Sequence, residues 1–139
     1  MSDWKKCFAT HEESQVLSTG DWLGNQYPGI ALPSTKALRK WVEIRYKGHW
    51  TCARVMDVGP WTIDDDAYVF GNEKSRAELC KGKYCPRVLT DVVIENTFLK
   101  CNGAGIDLFP QTAKDLGIAI NDNVILEWRF IPVGRIDES

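Results

Sequence analysis

Two neighbouring runs of alternating side chains constrain the fold of this chain more than any other feature. Residues 41–46 alternate apolar with charged residues, residues 47–49 contain a glycine, and residues 50–55 alternate again. A period of two places every second side chain on one face of a strand, and a short connection with glycine joins antiparallel strands. We therefore predict a β-hairpin over residues 41–55.

Further short strands and one helix are predicted around the hairpin. Residues 29–33 are an apolar segment closed by proline, and residues 123–131 alternate as a closing strand. Residues 6–25 indicate one short strand and then a loop. Residues 110–117 have proline in the first turn and glycine at the end, which is typical of a short helix. Strands with one helical crossover indicate a small β-barrel, whose closure removes exposed strand edges.

The segment after the hairpin carries no sustained period. Residues 62–85 hold an acidic triplet, aromatic residues and a basic run, and we interpret them as a long loop with a helical turn at residues 75–80. Residues 89–99 are rich in Val, Ile, Thr and Phe, which favours one more strand or an extension of this loop. A loop this long is usually functional or mobile, and a packed insertion without a role is the alternative.

Composition excludes several classes of protein. The chain is 44% hydrophobic and 26% charged, which is typical of one compact core. Seventeen basic and nineteen acidic side chains give a net charge of −2, so no broad cationic surface for nucleic acid is expected. No apolar run is long enough to span a membrane, so we expect no membrane insertion, and no signal peptide is visible after Met1. We expect a monomer.

The five cysteines do not have the spacing of a metal site. They lack the paired two-residue spacing of zinc ribbons, so we predict no metal and no cofactor. Cys80 and Cys85 bracket four residues and could close a small disulfide loop, and free thiols are the alternative. Because the number is odd, at least one cysteine stays unpaired within a monomer.

Two aspartates lie at the ends of β runs beside glycine-rich backbone. Asp57 precedes a Val-Gly-Pro turn, and Asp107 follows residues 103–106. Glycine lets a polymer approach the backbone closely. Cleavage of a glycosidic bond needs a carboxylic acid for the leaving oxygen, often with a second carboxylate. Most aspartates at such positions only cap turns, so this pattern alone does not establish a catalytic pair.

The aspartates belong to two ordered motifs that carry a family resemblance. Residues 53–61, residues 102–108 and the helix ending at residues 116–118 resemble the double-psi β-barrel of rare lipoprotein A and the expansins. Residues 29–33 also resemble bacterial members, and the likeness covers about residues 29–131. The resemblance implies a mainly β fold, a six-stranded double-psi β-barrel with one or two short helices.

The resemblance also implies a domain organisation. The chain has no internal repeat or linker, so we expect a single domain over residues 1–139, with its core in residues 29–131. Relative to a minimal barrel, residues 62–100 form a long inserted loop. The family's open groove binds a glycan, which implies peptidoglycan or another cell-wall polysaccharide as the partner.

Site residues follow from the resemblance position by position. Asp107 matches the aspartate assigned as catalytic acid in such barrels, and Asp57 matches its companion in the groove. The family places a hydroxyl residue near the first strand, for which Thr10 is the candidate and Thr19 a competitor. Trp61 would flank the groove as a platform for a sugar ring, with core packing as the alternative for all six tryptophans.

Other residues near the two motifs are weaker candidates for binding. Asp66 and Tyr68 could contact substrate, or could be a capped loop with a packed tyrosine. Gly105 lies in the glycine-rich approach to Asp107. His11 could reach the groove as a base, whereas His49 is expected to be solvated.

The leading functional hypothesis is a lytic transglycosylase that cleaves peptidoglycan. Such a protein would reach the cell wall by export, by cell lysis or as part of a virion. Expansins carry an aromatic residue two positions after the first aspartate, where this chain has Gly59, so cellulose binding is less well supported. The alternatives are a non-catalytic wall-binding or wall-loosening module, a hydrolase, and an inhibitor or signalling protein on the same barrel.

Overall fold

A computed structural model describes residues 3–11, 28–82, 88–89, 92–93, 101–119 and 122–132. The strands are β1 (Lys5–His11), β2 (Gly29–Leu32), β3 (Trp41–Tyr46), β4 (His49–Val58), β5 (Val88–Leu89), β6 (Val92–Val93), β7 (Ala104–Leu108) and β8 (Val124–Phe130). The helices are α1 (Asp66–Val69), α2 (Arg76–Leu79) and α3 (Pro110–Asp115), with a 3-10 turn at Thr35–Ala37.

Six of the strands close into a barrel in the order β1, β7, β2, β4, β3, β8. The pairs β1/β7 and β2/β4 are parallel, and the other four neighbouring pairs are antiparallel. Among the residues that the structure describes, the short strands β5 and β6 form a separate two-stranded sheet. The prediction of a mainly β, six-stranded barrel with a few short helices is confirmed.

The predicted hairpin is formed by β3 and β4. Its turn consists of Lys47 and Gly48, with φ of 45° and 82°. Positive φ at both turn residues matches the right-handed twist of the flanking strands. β4 continues beyond the predicted end and reaches Asp57 before it leaves the sheet.

The interior of the barrel is filled from every strand of the closed sheet. Trp128 on β8 is fully buried, and its ring meets Tyr68 edge-on with 6.0 Å between ring centroids. The other members of this core include Ile30, Leu32, Val42, Ile44, Val55, Ile106, Leu108 and Leu126. The alternation of β8 thus places its apolar positions inside the barrel, as its sequence predicts.

The insertion after β4 is a folded segment rather than an open loop over residues 62–82. The predicted helical turn corresponds to α2, where the Ser75 hydroxyl accepts a hydrogen bond from the amide of Glu78 at 3.0 Å. The helix α1 was not predicted, because four residues are too few to show a helical period. Most of residues 89–99, where a strand was predicted, and Thr19 lie outside the described residues.

The cysteines divide into two groups. Cys80 is disulfide-bonded, whereas Cys7, Cys52 and Cys101 are not. Cys85, the predicted partner of Cys80, lies outside the described residues. In the described part of the chain, no helix is long and apolar enough to cross a membrane.

Candidate functional site

Three of the predicted site residues lie in one row across four neighbouring strands. Thr10 on β1 is the partner of Asp107 on β7, and Ala31 on β2 is the partner of both Asp107 and Asp57 on β4. Partners in adjacent strands project to the same face of a sheet. The row Thr10, Asp107, Ala31 and Asp57, named here the aspartate row, therefore presents its side chains on one face.

Two bulges set this register. Between Phe8 and Ala9 the pairing with β7 skips Gly105, and between Ile30 and Ala31 the pairing with β4 skips Met56. An extra residue in one strand changes the direction in which the side chains after it point. Both bulges come directly before the aspartate row.

Asp107 is held by the first strand. The Thr10 hydroxyl donates a hydrogen bond to Asp107 Oδ1. Asp107 is half-buried, while its neighbours Ile106 and Leu108 belong to the core. A carboxylate fixed by a hydroxyl and still partly exposed has a defined orientation toward a ligand on this face.

Asp57 is more deeply placed, with 7% of its surface exposed. One strand, β2, lies between it and Asp107. At the usual spacing of strands, the two backbones are about 10 Å apart. A ligand that contacts Asp107 would therefore meet Asp57 across Ala31 rather than directly beside it.

Trp61 connects the exit of β4 to the start of β7. Its indole N–H donates to Asn102 Oδ1 at 2.8 Å, and the same oxygen accepts a hydrogen bond from the amide of Ala104 at 2.9 Å. The half-buried ring packs against Ala77 and Cys101. Trp61 thus has a structural role at the predicted edge of the groove, and only part of its ring is exposed.

Tyr68 is packed in the core, which is the alternative to substrate contact that the sequence left open. Only 3% of Tyr68 is exposed, and its hydroxyl donates to the carbonyl of Gly105 at 3.1 Å and accepts from the indole N–H of Trp128 at 2.9 Å. Burial raises the pKa of Tyr68 well above its usual range, so the hydroxyl stays protonated as a donor. A Cβ at Gly105 would lie 2.7 Å from this hydroxyl, so the glycine makes room for Tyr68.

Asp66 anchors the insertion to the barrel. It accepts a hydrogen bond from the Ser34 hydroxyl at 2.6 Å and pairs with the ammonium of Lys36 at 2.9 Å. The Ser34 hydrogen bond, more than the Lys36 charge, holds the pKa of Asp66 below its usual value. Asp66 is the first residue of α1, so these contacts tie the insertion to the segment after β2 rather than cap a helix.

The two histidines have different surroundings. His11 Nε2 lies 2.7 Å from the carbonyl oxygen of Asp122. His49 is exposed at the hairpin and its ring borders Gly117. Within the described ranges, no three His, Cys, Asp or Glu side chains converge as a metal site would require.

The sequence did not single out Trp50, which lies directly after the hairpin turn. It is 57% exposed, whereas the other described tryptophans are half-buried or buried. The position next to a tight turn, where a strand first emerges, is the signal that could have identified it.

Comparison with solved structures finds a likeness to the Streptomyces papain inhibitor. The TM-score is 0.50 at 14% identity, over 93% of this chain and 94% of that chain. The likeness is one of fold and accords with a double-psi type of barrel. No family model matches the sequence, and no curated protein matches it. The resemblance to rare lipoprotein A and the expansins therefore stays a prediction.

Proposed function

We propose that the aspartate row binds a cell-wall polysaccharide and cleaves peptidoglycan glycan strands as a lytic transglycosylase. The observation that carries this proposal is the hydrogen bond from Thr10 to Asp107, in the same row as Asp57. The family resemblance assigns these three residues to a site from separate parts of the sequence. Their shared face in the barrel supports that assignment.

The reaction requires one group that serves first as an acid and then as a base. Asp107, in its protonated form, gives its proton to the glycosidic oxygen as the bond to the anomeric carbon breaks. The 6-hydroxyl of the muramic acid then attacks that carbon and passes its proton to the Asp107 carboxylate. The product is a 1,6-anhydro end, and no water is consumed.

The other residues of the row support this acid. The Thr10 hydroxyl keeps the carboxyl group of Asp107 in one orientation, which lowers the cost of reaching a reactive geometry. The carboxylate of Asp57 stabilises positive charge that develops at the anomeric carbon. Its burial limits competition from water for that charge.

The test compares Asp107→Asn with the wild type on purified peptidoglycan sacculi. Asp115→Asn is the matched control, because Asp115 is an exposed carboxylate at the end of α3 that accepts a hydrogen bond from the side-chain amide of Gln111 at 2.7 Å. We expect soluble anhydro-muropeptides by mass spectrometry from the wild type and from Asp115→Asn, and none from Asp107→Asn. Equal release by all three proteins would remove Asp107 from the mechanism.

The same assay separates the related functions. Products heavier by one water would identify a hydrolase. Sedimentation with sacculi without any soluble product would identify a non-catalytic binding or wall-loosening module.

A second candidate is protease inhibition, which the fold likeness to the Streptomyces papain inhibitor favours. It is tested by titrating papain with the wild type and with Asp107→Asn. Stoichiometric inhibition by both proteins, with no release from sacculi, would replace the glycan proposal.

A further inference from the structure

An open cavity of about 530 Å³ lies on the opposite side of the barrel from the aspartate row. Its floor is a second row of cross-strand partners, formed by Trp50 on β4, Arg45 on β3, Glu127 on β8 and Lys6 on β1. In the closed strand order, the β3/β8 seam of this row faces away from the β7/β2 seam of the aspartate row. The two surfaces are therefore separate.

Trp50 is the distinctive side chain of this cavity. It is 57% exposed, and Ile125 across the cavity is 58% exposed. An indole that is not needed in the core keeps a flat apolar face available in water. Sugar rings have an apolar face of C–H groups that packs on such a surface.

Most of the charged side chains that line the cavity are cationic. Lys6, Arg45 and Lys47 line it with Glu127 as the one carboxylate. Arg45 pairs with Glu127 at 3.2 Å, and its guanidinium lies 4.0 Å from the centre of the Trp4 ring. Among the described residues, no salt bridge uses Lys6 or Lys47. Lys47 lies on the hairpin turn that precedes Trp50, whereas Lys6 lies at the far end of the row, beyond Arg45 and Glu127.

We propose that this cavity is a non-catalytic binding site for a glycan that carries a carboxylate. The sugar ring stacks on Trp50, and the carboxylate pairs with the ammonium group of Lys47 on the turn that precedes it. The choice of a wall glycan rests on the proposed function, because muramic acid carries a free carboxylate wherever its stem peptide has been removed. Such a site would hold the protein on the polymer while the aspartate row acts on another segment of it.

The test uses soluble disaccharides and isothermal titration calorimetry. The charged probe is the disaccharide of N-acetylglucosamine and N-acetylmuramic acid, and the neutral probe is the N-acetylglucosamine disaccharide. We expect Trp50→Ala to weaken binding of the charged probe about tenfold, from the lost ring contact. We expect Lys47→Gln to weaken it about two- to fivefold, with a stronger effect at low salt.

Two matched variants control for general effects of substitution. Leu79→Ala removes an apolar side chain on α2 that is 64% exposed. Lys114→Gln removes an exposed cation on α3. Both are expected to bind the charged probe like the wild type. Thermal unfolding verifies that Trp50→Ala is folded, and Lys47→Gln tests the site independently of the indole.

The outcomes separate this site from the proposed enzyme activity. Weaker binding in Trp50→Ala and Lys47→Gln, with full binding by Leu79→Ala and Lys114→Gln, supports the site even if sacculi are not cleaved. No binding by the wild type, equal binding of the neutral probe, or an unaffected Trp50→Ala overturns it. Tighter binding of a tetraglutamate peptide than of the charged disaccharide also overturns it, in favour of an acidic protein partner.

Discussion

Single hydrogen bonds fix the side chains of Asp107, in the aspartate row, and Tyr68, in the core. The bulge at Gly105 shifts the register of β7 so that Asp107 comes opposite Thr10. The same glycine leaves space for the Tyr68 hydroxyl, whose contacts reach the core tryptophan on β8. One residue without a side chain therefore serves both the core and the candidate site.

Replacing Thr10 tests whether orientation of Asp107 matters for cleavage. Thr10→Val keeps the shape of a β-branched residue but removes the hydroxyl, and we expect the turnover on sacculi to fall about ten- to a hundredfold. Thr10→Ser keeps the donor and should stay near the wild-type rate. Turnover of Thr10→Val equal to that of the wild type would assign Thr10 to the structure alone.

Removing the Tyr68 hydroxyl tests its role in the core. Tyr68→Phe leaves the indole N–H of Trp128 and the carbonyl of Gly105 without this buried partner, and we expect a loss of about 2 to 3 kcal/mol in the free energy of unfolding. Urea unfolding measures it. Tyr46→Phe, at a half-buried position on β3, is the control and should change stability by less than about 0.5 kcal/mol. Equal stability of Tyr68→Phe and Tyr46→Phe would contradict the assignment of a buried structural role to the Tyr68 hydroxyl.

The elements differ in how well the sequence predicts them. The reason is the distance along the chain between the residues whose contacts form each element. The β3/β4 hairpin and α3 are determined by neighbours in sequence, such as the turn at Lys47 and Gly48 and the stop at Gly117 with φ of 71°. The burial of Tyr68 depends on β7 and β8, far along the chain. The insertion has no period of its own, so its contacts with the barrel were not predictable from it.

The same distinction applies to the candidate site. Asp57 and Asp107 were predicted as candidates because each ends a β run beside glycine and lies in a motif that resembles those of the expansin-like barrels. Ala31, which links them in the row, has no chemical signal in the sequence. The half-burial of Trp61 depends on α2 and Asn102, which its own sequence neighbourhood does not indicate, so the choice between a sugar platform and core packing was open from the sequence.

The anchor between the insertion and the barrel predicts a dependence of stability on pH. The pKa of Asp66 in the folded protein lies below its usual value of 3.8, so its ionised form stabilises the fold above that pH, and the contribution is lost as the pH falls below it. We expect Asp66→Asn to melt below the wild type at pH 6, and the difference to shrink below pH 3.8. Thermal unfolding from pH 2.5 to pH 7 measures both proteins. A difference in melting temperature that is constant with pH would contradict the anchor role.

At the scale of the whole molecule, closure of the barrel makes its interior accessible only when the sheet opens. Cys7 on β1 faces this interior, and burial raises the pKa of its thiol to about 12. The thiolate is the reactive form, so Cys7 is inert in the folded protein near neutral pH. Cys52 on β4 is half-buried and lies nearer the surface.

Thiol labelling therefore reports on the barrel as a unit. At pH 8 without denaturant, we expect a thiol reagent to modify Cys52 and to leave Cys7 unmodified, with the sites identified by mass spectrometry of peptides. Because β1 is held on both sides by β7 and β8, Cys7 should react only through global unfolding. Its labelling in rising urea, measured in a Cys52→Ser variant, should then follow the slope of the equilibrium unfolding curve. Labelling of Cys7 that is independent of urea would instead show that β1 separates from the barrel locally, and would make the Thr10 contact with Asp107 an intermittent one.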